Sequence, residues 1–337
     1  MRRLVAVLCL VPCMGAMPPS SQPRAAPLRL VQSISLPDIQ GRLDHFNVDL
    51  KRRRLFIAAL AHHTVEVVDL NAGKWQRSLP GFKKPQGVWY VEKVDKLFVA
   101  DGEQGDCKVF SGQDLRLLAA VALDRGPDHE AYDSVTNQLY VGYGGEDAGK
   151  DYGELAIIAV ASDRHVGDIR TDAHPGAVII DTPGQTLLLT MPKSREIAMA
   201  DQKTRTITEK WQIPEQLPVA LALDAAGGRL FVGTRQPPSL LVFDLRSHQL
   251  IASLPSVGVM DDLYFDAARR RVYASGGEGF IAVYQQRDPD HYSEIGRIAT
   301  GPAARTSLWA PELNRYYVAV PASDSHPAEI RVYEPQP

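Results

Sequence analysis

Hydrophobic and polar positions near the start of this chain follow the pattern of β-strands. Residues 43–49 (LDHFNVD) and 64–70 (TVEVVDL) alternate between apolar and polar side chains, whereas residues 53–60 (RRLFIAAL) form a nearly continuous apolar run. Alternation predicts a strand buried on one face, and a continuous run predicts a strand buried on both faces. With residues 75–79 (WQRSL) as an outer strand, the segment predicts one four-stranded sheet.

This unit returns six more times, at intervals of 42 to 48 residues. The buried second strands of the seven copies centre on Phe56, Phe98, Tyr140, Leu188, Phe231, Tyr273 and Tyr317. A strand-built repeat with a period in the low forties is typical of β-propeller blades. The sequence therefore predicts an all-β, seven-bladed propeller with four-stranded blades.

The seventh copy ends after its third strand, and residues 28–36 (LRLVQSISL) precede the first copy without belonging to it. An open propeller would leave unpaired strand edges at both ends. We therefore predict that residues 28–36 complete the last blade and close the ring.

Aspartates recur at the ends of the predicted first strands, as Asp49, Asp133, Asp181, Asp224 and Asp266. Asp69 and Asp244 follow third strands in the same way. An aspartate side chain accepts hydrogen bonds from the backbone a few residues downstream in tight turns. We expect these aspartates to close turns.

The first 26 residues have the layout of a signal peptide. Two arginines precede an apolar run at residues 4–11, which is too short to cross a bilayer, and small residues follow. We expect simple cleavage rather than lipid attachment at Cys13, because Pro12 stands where a small residue is expected. Residues 27–337 are then one periplasmic or secreted domain without a membrane span, expected to be a monomer.

Charge and cysteine content limit the classes of partner and cofactor expected for this chain. The chain has 37 basic and 40 acidic residues. Loss of Arg2, Arg3 and Arg24 with the leader leaves a net charge of 34 − 40 = −6. This acidic balance argues against nucleic-acid binding. Cys107 would be the single remaining cysteine, so an internal disulfide is excluded, and the chain has no CxxCH haem-attachment motif. A small molecule, a protein or a peptide is the expected partner.

The repeats LYVGYGG, LFVGTRQ and LFVADGE resemble those of the YVTN-repeat family of bacterial exported seven-bladed propellers. The resemblance covers roughly residues 28–335. It implies the propeller fold and export, and it is compatible with a binding protein or a scaffold. The architecture is more remotely similar to gluconolactonases and virginiamycin lyases, which use a metal at the propeller's centre.

Propeller ligands gather at the mouth of the central channel, where each innermost strand begins. In each copy we take the two residues four and five positions before the turn aspartate. These pairs are polar or charged in four blades and mostly small or apolar in the others. With neighbouring positions, they give the candidate ligand-binding residues Asp44, His45, Gln86, Asp128, His129, Glu130, His174, Arg235, Asp261, Asp262 and Arg305.

Three interpretations of this set remain open. Imidazoles and carboxylates bind divalent metals, and strand alternation would place Asp128 and Glu130 on one face and His129 on the other. Alternatively, the set is an internal charge network in which Arg305 lies between Asp262 and Asp44. In the third, Arg305, with Arg235, grips a ligand carboxylate.

These interpretations lead to two hypotheses for function. The first is a periplasmic binding or scaffold module that takes a small molecule, a metal or a peptide at the channel mouth. The second is a metal-dependent lactonase, hydrolase or lyase that uses Asp, Glu and His at the same mouth. The sequence contains no GxSxG elbow and no GxxxxGK[ST] phosphate loop that would favour other catalysis.

Overall fold

The computed structural model describes residues 26–181 and 185–337. Residues 1–25 of the predicted leader lie outside the described residues. The described chain forms seven four-stranded antiparallel sheets, which are the blades of a propeller. The predicted fold class is confirmed.

The first strand, β1 (Leu28–Leu36), belongs to blade seven, and the other strands follow in chain order. Blade one has β2 (Phe46–Asp49), β3 (Arg54–Ala59), β4 (Thr64–Asp69) and β5 (Lys74–Leu79). Blade two has β6 (Pro85–Val91), β7 (Lys96–Asp101), β8 (Asp106–Ser111) and β9 (Leu117–Ala122). Blade three has β10 (Glu130–Asp133), β11 (Gln138–Gly144), β12 (Gly153–Ala159) and β13 (Arg164–Thr171).

The remaining blades repeat the same order. Blade four has β14 (Val178–Asp181), β15 (Thr186–Met191), β16 (Glu196–Asp201) and β17 (Thr206–Gln212). Blade five has β18 (Gln216–Asp224), β19 (Arg229–Gln236), β20 (Pro238–Asp244) and β21 (Leu250–Pro255). Blade six has β22 (Met260–Asp266), β23 (Arg271–Gly276), β24 (Phe280–Asp288) and β25 (His291–Ala299). Blade seven has β26 (Ser307–Ala310), β27 (Arg315–Val320) and β28 (Ala328–Pro335), with β1 as its outer strand.

Short 3₁₀ helices occur in four connections: Leu60–His62, Glu92–Val94, Gly145–Ala148 and Pro311–Leu313. Across the two described ranges, no helix is long and apolar enough to cross a membrane.

The ring closes as predicted. Strand β1 pairs antiparallel with β28, from Leu28 opposite Pro335 to Leu36 opposite Ala328. Ile34 and Leu36 are buried in the hydrophobic cluster that joins blade seven to blade one. Because blade seven also shares a cluster with blade six, the strand supplied by the N-terminal segment completes the contact of the last blade with the first.

The core lies between the blades. Each pair of neighbouring blades in the described chain shares one hydrophobic cluster, and the second and third strands supply most of the fully buried side chains. Strand β3, for example, is buried at all six positions. The continuous apolar run of each repeat is therefore explained by packing on both faces of the sheet.

The predicted turn aspartates accept backbone N–H groups. Asp49 accepts from the N–H of Arg52 at 2.9 Å, and Asp69 accepts from two downstream N–H groups at 2.8 and 2.9 Å. Asp133, Asp224, Asp244 and Asp266 make equivalent bonds. The turn that follows Asp181 lies outside the described residues, so its prediction stays untested.

A β-bulge opens the innermost strands of blades one to six. The N–H of Asp44 donates to the carbonyl of Ala58 at 2.7 Å, while the N–H of Ala58 donates to the carbonyl of His45 at 3.0 Å, so two residues oppose one. Hydrogen bonds or register shifts place the predicted pairs of blades two to six in the same position. In blade seven the Ala319 N–H donates to the Thr306 carbonyl, but the Arg305 N–H donates to the carbonyl of Ala303. The residues opposite the pairs are all small: Ala58, Ala100, Gly142, Thr190, Gly233, Ser275 and Ala319. Bulges redirect side chains, so the mouth has the same local geometry in blades one to six.

Candidate functional site

A histidine lies at the centre of an acidic cluster at the channel mouth. The Nε2 atom of His45 is 3.8 Å from Asp44 Oδ1 and 3.8 Å from Asp128 Oδ1, and its Nδ1 atom is 3.6 Å from Asp262 Oδ1. The ring of His129 lies against that of His45, with centroids 4.3 Å apart. The bulges of blades one, three and six thus bring together residues that are far apart in the chain.

Charge and burial together set the protonation of this cluster. Burial alone would lower the pKa of His45, but its interactions with the carboxylates of Asp262, Asp44 and Asp128 outweigh burial and raise the pKa to about 10. Complete burial raises the pKa of Asp44 to about 6, although His45 favours its charged form. Burial also opposes ionisation of Asp128, yet His129 and His45 hold its pKa well below the usual range. At neutral pH the structure therefore places an imidazolium among carboxylates.

Three arginines converge on a second carboxylate, Asp261. Arg305 Nε lies 2.8 Å from Asp261 Oδ2, Arg42 Nη2 lies 3.6 Å from the same oxygen, and Arg235 Nη2 pairs with Oδ1. Arg42 also pairs with Asp44 at 3.0 Å. The Asp261 side chain is 9% exposed, whereas those of Arg305, Arg235 and Arg42 are 20%, 29% and 38% exposed. Each guanidinium therefore reaches both the buried carboxylate and the solvent at the mouth.

The predicted charge network exists with different partners. Arg305 pairs with Asp261 rather than lying between Asp262 and Asp44. Asp262 instead accepts the backbone N–H of Ser307 at 2.7 Å and faces His45. The cause is the bulge, because it directs the two adjacent aspartates of blade six to different neighbours.

The prediction that Asp128 and Glu130 share a face was wrong. Asp128 and His129 are the two residues of one bulge opposite Gly142, so both approach His45. Glu130, the first residue of β10, is buried with its Oε1 atom 3.7 Å from the Cys107 sulfur. Burial raises the pKa of Glu130 well above its usual value. Strand alternation did not apply because the strand becomes regular only at Glu130.

Two cavities flank the cluster. The channel cavity, about 450 Å³, runs along the inner strands; its lining includes His45, His129 and Asp262 together with mostly apolar side chains. The mouth pocket, about 360 Å³, lies over blades two to four and includes Asp128 and Lys84 in its lining. Both volumes fall in the range of small-molecule sites.

Two predicted residues line the mouth pocket beside Asp128. Gln86 is 5% exposed, and its Oε1 atom has no hydrogen-bond partner among the described residues. His174 holds its Nε2 atom 2.8 Å from the carbonyl of Gly126. Sequence reasoning missed Arg42, which lies in the connection from β1 to β2 at the position equivalent to His174, two residues before the pair of its blade.

The chain matches no protein-family model and no curated protein. The solved structures that share its fold include the following two. Kuenenia stuttgartiensis hydrazine synthase is 16% identical, with a TM-score of 0.73 over 87% of this chain and 97% of that chain. A chain of a mitotic checkpoint complex crystal structure is 11% identical, with a TM-score of 0.76 over 99% of this chain and 98% of that chain. At these identities the similarity supports the fold alone.

Proposed function

We propose that this chain is an exported binding protein of the YVTN-repeat type that holds a small carboxylate-bearing molecule at the mouth of its propeller. Export is supported by the signal-peptide layout of residues 1–26. The closed ring supplies a rigid frame on which loops and inner-strand ends present the site.

The observation that carries the proposal is the convergence of Arg42, Arg235 and Arg305 on Asp261. A guanidinium has five N–H donors. Arg42 also donates to Asp44 and Arg235 to the Met260 carbonyl, but these two acceptors and Asp261 cannot satisfy all fifteen donors. The three side chains are 20–38% exposed, so each guanidinium is partly accessible from solvent. Planar guanidinium groups bind carboxylates through paired, charge-assisted hydrogen bonds, which makes a carboxylate the matching ligand.

A titration of the purified protein with a panel of mono-, di- and tricarboxylic acids tests this function. We expect at least one acid to bind, and the corresponding neutral amide to bind at least about tenfold more weakly. Arg305→Leu should weaken binding about tenfold or more, whereas Arg77→Leu, on the exposed outer strand of blade one, should leave it unchanged. Unchanged affinity in a correctly folded Arg305→Leu protein would remove the proposal.

The second candidate is a metal-dependent hydrolase or lyase. The observation that favours it is the approach of His45, Asp128 and His129, whose ligand atoms lie within 4.8 Å of one another. A bound metal ion would supply a Lewis acid or an activated water molecule there. Hydrolysis of lactones by metal-loaded protein, abolished in Asp128→Asn, would favour this candidate over binding alone.

A further inference from the structure

Three side chains meet between the channel cavity and the mouth pocket. His45 Nε2 is 3.8 Å from one oxygen of Asp128, and His129 Nδ1 is 3.7 Å from the other oxygen. A tetrahedral metal with bonds near 2.1 Å separates its ligand atoms by about 3.4 Å. The three groups therefore need only small side-chain rotations to hold an ion.

Two of these atoms have unmet hydrogen-bonding capacity. Asp128 Oδ1 and His129 Nδ1 are buried, and neither has a hydrogen-bond partner in residues 26–181 and 185–337. A buried polar atom without a partner costs about 1–3 kcal/mol, so such atoms indicate an interaction that the protein alone does not supply. Both belong to the small group that approaches His45, which points to one occupant between them.

The surroundings are those of a metal-ligating histidine. The second ring nitrogen of His45, Nδ1, faces Asp262 at 3.6 Å, and Asp262 is held in place by the Ser307 N–H. Metal-bound histidines usually present their other nitrogen to a carboxylate in this way, which orients the ring. Asp44, fully buried and 3.8 Å from His45 Nε2, adds negative charge that stabilises a cation there.

The backbone of blade two leaves room for the side chains of blades one and three to approach each other. Blade two lies between the blades that carry His45 and Asp128, and its bulge contains Gly87 at the position equivalent to His45. A Cβ atom on Gly87 would lie 2.0 Å from the Asp128 carbonyl oxygen and 2.9 Å from Glu130 Cγ. The absence of a side chain at Gly87 therefore lets blades one and three meet across blade two.

We propose that His45, Asp128 and His129 bind one divalent transition-metal ion, which replaces the proton on the His45 imidazole and leaves at least one coordination position open to the adjoining cavities. Two imidazoles and one carboxylate suit zinc or ferrous iron, and three protein ligands with an open position are typical of sites that also bind an exogenous ligand. This inference goes beyond carboxylate binding by the arginines and does not depend on it. It would also supply the metal that the second candidate function requires.

Calorimetric titration of untagged, EDTA-treated full chain with Zn²⁺ tests the site, with bound metal counted by mass spectrometry. We expect one tight site in the wild type. Asp128→Asn and His129→Gln should each weaken it at least about 100-fold. Glu130→Gln and His174→Gln are matched controls on the same mouth, and they should change the affinity less than about threefold because neither side chain belongs to the set.

The proposal is overturned if the wild type takes up no zinc at micromolar concentration, or if folded ligand variants bind within about threefold of the wild type. Equal weakening in the His174→Gln control would also overturn it. If Asp128→Asn does not fold, the visible spectrum of the Co²⁺-loaded wild type and its loss in His129→Gln decide the question. Titration of EDTA-treated protein with carboxylic acids tests the arginine site separately, so either proposal can fail alone.

Discussion

Asp101, at the end of β7, binds the backbone of the connection that enters blade two, and its replacement should lower the unfolding free energy of the protein. Its carboxylate is fully buried. It accepts the N–H groups of Lys83 and Lys84, each at 2.8 Å, and that of Gln104 at 3.2 Å, and it pairs with Lys108 at 3.1 Å. Each oxygen accepts from two donors. Asp101→Asn replaces one oxygen with an NH₂ group, which cannot accept from the two donors that face it.

Hydrogen bonds to a charged group contribute about 1.5–3 kcal/mol each, so losing two should destabilise the protein by about 3 kcal/mol or more. The effect should depend on pH. Burial opposes ionisation of Asp101, but its backbone donors and Lys108 outweigh burial and lower its pKa. A lowered folded-state pKa stabilises the protein above the unfolded-state pKa of about 3.9, and this stabilisation is lost as pH falls through the folded-state pKa.

Urea unfolding of wild type and Asp101→Asn, followed by tryptophan fluorescence, measures both effects. The difference in unfolding free energy should be largest near neutral pH and should shrink between about pH 5 and pH 3. Asp106→Asn is the matched control, because Asp106 also pairs with Lys108, at 3.0 Å, but accepts no backbone N–H bond among the described residues. A difference below about 1 kcal/mol at pH 7, or one that stays constant on acidification, would refute the reasoning.

Two further outcomes are expected. Ile34→Ala should lower the unfolding free energy by about 3 kcal/mol, because Ile34 is 1% exposed in the cluster that closes the ring. Leu30→Ala, at a 49% exposed position of the same strand, should lower it by less than about 0.5 kcal/mol. Equal urea midpoints of the two variants would contradict this expectation. Burial, with the charge of Glu130, raises the pKa of the Cys107 thiol. Ellman's reagent should therefore react about 100-fold faster with the protein unfolded in urea than with the native protein. Fast labelling of the native protein would contradict this expectation.

The repeat made the fold predictable. Each copy ends its first strand with a turn and continues with an apolar run, so strand order, ring size and the closing role of residues 28–36 follow from pattern alone. The equivalent pairs at the mouth could be read because every copy keeps the same spacing to its turn.

The orientation of side chains at the mouth was less predictable. Alternation assigns faces only where a strand is regular, and the bulge places His129 beside Asp128 while Glu130 turns towards Cys107. A possible signal was the run of small residues opposite the pairs, such as Gly142, where a bulged backbone fits. Arg42 precedes the pair of blade one by two residues, the same spacing at which His174 precedes the pair of blade four, so the alignment that found His174 could also have found Arg42.

The pairing of β1 with β28 has a consequence for biosynthesis. Leu28 lies opposite Pro335, and the Gln336 N–H donates to the Pro27 carbonyl at 2.9 Å. The first strand can pair only after a strand about 290 residues later has been made, and contacts this distant in sequence form slowly. Until then the ring stays open at the edge of blade seven.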